Sequence, residues 1–142
     1  MSNAAQAYAR TSQTTASPRE IEAQALLRAA RQLQEVQDNW KGPDRNMHKA
    51  LTFNRRLWSI FLTAVEDNGN PNTLEVRQNI ANLGLFVMRQ TIEIQLEPDP
   101  AKLKSLIDIN CTIAAGHAGR AGRRKGGPRA RRSRAQSSRR AH

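Results

Sequence analysis

The chain has 142 residues and a formal net charge of +11, a length that supports one domain. Nine Arg and one Lys fall between His117 and His142 with no acid among them, which leaves 13 of the 23 basic residues against all 12 acids in residues 1–116. The body therefore carries only +1, and the charge describes the tail rather than the fold. A single cysteine, Cys111, excludes an internal disulfide.

The start, "MSNAAQAYARTSQTT", lacks the charged residue followed by an apolar run that a secretory signal needs. The longest uninterrupted apolar run, Leu85–Met88, is far short of a membrane span. A cytoplasmic protein without membrane insertion is expected.

Four segments show helical periodicity and none shows sustained strand alternation. Residues 1–16 form an N-terminal arm, with a short helix around Ala4–Ala9 anchored only by Tyr8. "SPRE" opens the first long helix: Ser17 as cap, Pro18 in the first turn and Glu20 completing a capping box. Ile21, Ala25, Ala29, Leu33, Val36 and Trp40 then follow at steps of three or four, and Gly42-Pro43 ends the segment.

Asp44 caps the second helix. Met47, Leu51, Asn54, Trp58, Phe61 and Val65 lie on one line, widened by Phe53, Leu57 and Ile60, so this helix is expected to be buried on two sides. After the turn "DNGNPN", a third helix runs from about Thr73 to Leu96. It bears one stripe of Val76, Ile80, Leu83, Val87 and Ile94, and a second of Leu85, Met88 and Ile92. "EPDP" breaks it, and Asp99 caps a fourth helix that carries Leu103, Leu106, Ile107, Ile109 and Ile113 and is expected to end near Gly116. The fold class is all-α: a small bundle of about four helices, residues 17–118, followed by a disordered basic tail, residues 119–142.

Catalytic and cofactor chemistry finds little support. His48, His117 and His142 are far apart in the chain, and neither HExxH nor a Cys/His cluster occurs. The glycines at 116, 119 and 122 match no phosphate-loop pattern and follow no strand. Cys111, set among Ile107, Ile109 and Ile113, reads as a small buried thiol rather than a nucleophile. The chain reads as a non-enzyme with no metal and no cofactor.

Candidate contact residues remain inside the body. Arg55-Arg56 is either a solvated helix edge or an anchor for an acidic or carbonyl-rich partner. Asn54, Asn79, Asn82 and Asn110 fall on or beside apolar stripes. They either satisfy one another in the interior or line a groove that holds a peptide backbone. Trp40 and Trp58 suit the core, and Tyr8 either folds onto the bundle or covers a partner site.

Four stretches, "AYARTSQTTASPREIEAQALLRAARQL", "ALTFNRRLWSIFLTAVED", "EVRQNIANLGLFVMRQTIEI" and "LIDINCTIAAG", closely resemble the FlaF family, flagellar biosynthesis regulators of alphaproteobacteria. The likeness covers residues 1 to about 119, and "NRRLW" and "VRQNIANLGLFV" are its most specific parts. It implies a non-enzymatic cytoplasmic helical protein that promotes flagellin synthesis and secretion, binds flagellin as an export chaperone does, and opposes the repressor FlbT. Tyr8, Arg55, Arg56, Trp58, Asn79 and Asn82 match recurrent positions and are the candidate partner-binding residues.

Beyond "AAGHAGR" the chain departs from the family pattern. The extension reads as incidental. The alternative is that Arg123, Arg124, Lys125, Arg129, Arg131 and Arg132 bind RNA, such as a flagellin message, through phosphate contacts. A third reading is a module that acts only through FlbT.

Overall fold

The computed structural model describes residues 17–126, with side chains as far as His117. Tyr8, the N-terminal arm and residues 127–142 lie outside the described residues, as do the side chains of Arg123, Arg124 and Lys125. Four α-helices and one 3-10 turn make up the secondary structure, with no strand among the described residues: α1 (Pro18–Asp38), α2 (Arg45–Glu66), α3 (Leu74–Leu96), the turn Pro100–Lys102, and α4 (Leu103–Gly126). This is the expected all-α class.

Side-chain hydrogen bonds cap the starts of the first three helices. Ser17 Oγ accepts from Glu20 N at 3.1 Å, Asp44 Oδ1 from Met47 N at 3.0 Å, and Thr73 Oγ1 from Val76 N at 3.2 Å. Each satisfies one of the amide groups that a helix start leaves without a partner. Asp99, expected to cap the fourth helix, instead caps the 3-10 turn that precedes it, its Oδ1 accepting from Ala101 N at 2.9 Å. Gly42, between α1 and α2, has φ +91°, a left-handed conformation that a side chain resists.

Two compact units divide the chain. In the first, comprising residues up to Gln24 and from Ile113, Ala23, Ala114 and His117 are buried. His117 Nε2 lies 3.0 Å from Glu22 Oε2, while its Nδ1 is buried without a hydrogen-bond partner among the described residues. α4 continues through Gly116 instead of ending there. A glycine in a helix costs only about 1 kcal/mol relative to alanine, and Ala114 and Ala115 just before it favour continuation.

The second unit, Ala25–Thr112, holds most of the core. Leu26 and Leu33 of α1, Met47, Leu51 and Trp58 of α2, Val87 and Ile94 of α3, and Leu103 and Leu106 of α4 are fully buried. α2 and α3 pack tightly at Gly84, where an added Cβ would lie 2.5 Å from Leu62 Cδ2. Arg77 of α3 donates from Nε to Val65 O at the end of α2, 2.8 Å away.

Side chains also clamp the joint before α4. Gln37 Nε2 donates to Pro100 O at 2.9 Å, and Gln90 Nε2 to Lys102 O at 3.1 Å. Lys102 Nζ reaches Glu93 at 3.2 Å and Glu97 at 3.6 Å. Burial pulls this ammonium down, but the hydrogen bond to Glu93 and the charges of Glu97 and Glu93 outweigh it and hold its pKa above the ordinary lysine value.

Candidate functional site

The four asparagines, alike in sequence, separate into two pairs. Asn54 and Asn110 are fully buried. Trp58 Nε1 donates to Asn110 Oδ1 at 2.9 Å, and Asn110 Nδ2 donates to Asn54 Oδ1 at 2.7 Å and to Leu26 O at 3.4 Å. Asn54 Nδ2 has no partner among the described residues. The Trp58 ring meets Phe61 edge to face at 5.5 Å between centroids. Trp58 is thus an interior residue that ties α2 to α4, and no partner reaches it in this conformation.

Asn79 and Asn82 are exposed on α3, and Arg55 and Arg56 are exposed on α2. Adjacent helical residues are about 100° apart, so the two arginines occupy different edges. The two stripes of α3 also part company. Ile94 and Val87 of the first are buried, whereas Leu85 and Ile92 of the second are 56% and 55% exposed. Leu74, 66% exposed, and Leu96, 78% exposed, extend that second line toward the two ends of the helix.

The spacings 74, 85, 92 and 96 keep these residues within about 40° of one another on the helix. Met88, half-buried, borders them. The sequence signal for this surface was the presence of two stripes on one helix, since a helix that packs on one side buries only one.

Two expectations are corrected on the same geometric ground. Ile60 is 65% exposed and Phe53 and Leu57 are only half-buried, so α2 is not covered on two sides. Cys111 is exposed rather than buried: it follows the fully buried Asn110, and one helical step of about 100° carries it out of the core.

Among the described residues, no group of three His, Cys, Asp or Glu comes together as a metal site, and no helix is long and apolar enough to cross a membrane. The geometry offers contact surfaces, of which the α3 stripe is the most apolar. Leucine and isoleucine there are available to the nonpolar face of another helix, with Asn82 exposed on the same helix.

Neither the comparison with curated proteins nor that with solved structures gives a match. A family model described as "Flagellar protein FlaF" matches residues 4–117, a span that takes in all four helix starts and the whole α3 stripe. On that match, well over half the chain, the protein belongs to the FlaF family of flagellar proteins.

Proposed function

We propose that this protein promotes flagellin synthesis and secretion by binding flagellin as an export chaperone, and that the exposed line Leu74, Leu85, Ile92 and Leu96 of α3 is where it does so. That line is the observation that carries the reading. Exposed aliphatic residues at helical spacing suit the apolar face of an amphipathic helix, the kind of segment that needs shielding until it is assembled. Fully burying one Leu or Ile contributes about 1.5–3 kcal/mol, so a few such residues are sufficient for reversible, client-type binding.

The test is titration of full-length protein with monomeric flagellin at about 0.5 M salt, where attraction to the basic tail is screened. Micromolar binding is expected, and the Leu85→Ser/Ile92→Ser variant should bind at least about tenfold more weakly. No binding, or equal binding by the variant, overturns the proposal.

A second reading is favoured by the segregation of ten basic residues into residues 117–142: RNA binding by the tail, acting on the flagellin message. Counterion release then requires affinity to fall steeply with salt, and a salt-independent interaction would dismiss it. Action through FlbT alone would show as co-purification of FlbT without flagellin.

A further inference from the structure

The edge between α1 and α2 forms a second surface of different chemistry, and we propose that it docks an acidic amphipathic helix of a partner protein. Arg28, Gln32 and Glu35 of α1 and Asn39 just past its end follow one another at steps of four, three and four. Lys49, Phe53, Arg56 and Ile60 do the same along α2. Both sets therefore form straight lines on their helices.

The lines face each other. The Arg28 guanidinium stacks over the Phe53 ring, 5.2 Å from its centroid. Further along, Gln32, Glu35 and Asn39 line one side of a cleft of about 460 Å³, with Lys41, Asn46 and Lys49 on the other. Leu62, the residue that meets α3 at Gly84, comes two positions after Ile60 and about 200° round the helix, so the edge points away from α3.

Charge complementarity identifies the occupant. Among the described residues Arg28, Lys41, Lys49 and Arg56 make no ion pair, and the acids of the cleft do not neutralise them. Asp44 is engaged as the α2 cap. Ile60, 65% exposed, and the half-buried Phe53 and Leu57 interleave with these cations. A helix with carboxylates beside an apolar stripe matches both features at once.

A nucleic acid matches less well. Phosphates would leave the exposed Ile60 and the half-buried Phe53 without an apolar partner. The proposal concerns a different surface from the α3 stripe, and the charge-reversed variant tests it whether or not flagellin binds there.

The probe is a fluorescein-labelled peptide of about 20 residues, long enough to be helical when bound, with Leu on one face and Glu on the other. Full-length protein is titrated with it at about 0.15 M salt, beside a Lys-for-Glu twin and a single-stranded oligo(U) of equal length. Lys49→Glu/Arg56→Glu reverses two exposed charges, and Lys104→Glu, at an exposed cation of α4 outside both surfaces, serves as the control. Circular dichroism verifies that each variant stays helical.

The acidic peptide should bind and the basic twin should not. The charge reversal should weaken the acidic peptide by about tenfold or more, and Lys104→Glu should leave it unchanged. Equal binding by the charge-reversed variant would mean that the tail alone attracts the peptide, and would overturn the proposal. So would oligo(U) binding that falls by the same factor in that variant, which would make the edge a nucleic-acid surface.

Discussion

Replacing Asn110 by Leu tests whether the interior amides hold the core together. In the native core Asn110 accepts from Trp58 Nε1 and donates to Asn54 Oδ1, and all three residues are fully buried. Leucine removes both bonds, together with the longer one to Leu26 O, a carbonyl inside α1, and strands one side-chain donor and one side-chain acceptor out of reach of water. Each stranded group costs about 1–3 kcal/mol, and the added apolar burial returns about 1–2 kcal/mol. A net loss of about 3 kcal/mol is expected, a large share of the roughly 5–15 kcal/mol that stabilises a domain.

Asn54→Leu alone should cost less, about 1 kcal/mol, because it also removes the amide Nδ2 that has no partner in the native core. The double variant leaves only the indole N–H stranded, so it should be no less stable than Asn110→Leu. Urea unfolding followed by far-UV circular dichroism gives the three free energies, provided the slopes agree. A loss below about 0.5 kcal/mol for Asn110→Leu, or strict additivity in the double variant, would refute the reasoning.

Gly84→Ala should destabilise by about 1 kcal/mol despite alanine's better helix propensity, because its Cβ meets Leu62 at 2.5 Å; in a Leu62→Ala background the same change should stabilise, and urea midpoints show whether the sign reverses. Gly42→Ala should cost about 1 kcal/mol from backbone strain alone, since nothing lies within 4 Å of its added methyl; an unchanged midpoint would contradict that assignment. The raised Lys102 pKa stabilises the fold fully below the unfolded value near 10.4 and ceases to do so as pH rises through the folded value. Wild type and Lys102→Met should therefore differ in thermal midpoint at pH 8 and converge at strongly alkaline pH, and a constant gap would show that the charge is irrelevant.

Helix starts were legible in the sequence because each depends on one local bond: Ser17 and Asp44 cap α1 and α2 as their positions suggest, and Asp99 caps the 3-10 turn that leads into α4. The inner line of α2 was legible too, since Met47, Leu51, Asn54, Trp58 and Val65 recur at helical steps and are buried. What periodicity does not convey is how many sides of a helix meet a neighbour. Ile60 and Ile92 have the composition of core residues and face outward because no helix covers them. The partition of the asparagines was illegible for the same reason: Asn54 meets Asn110 across 56 positions of chain, a pairing set by tertiary packing. The α1–α2 edge was missed because Arg28 and Lys49 are ordinary surface residues until the fold aligns them around Phe53 and the cleft.

The outward placement of Cys111 has a practical side. It is the sole thiol in the chain, so one maleimide dye attaches at a known point on α4 without any engineered change, and a client's approach can be followed by energy transfer. In air the same sulfur is able to join two chains covalently, so preparations kept without reductant will contain linked pairs that double the apparent mass.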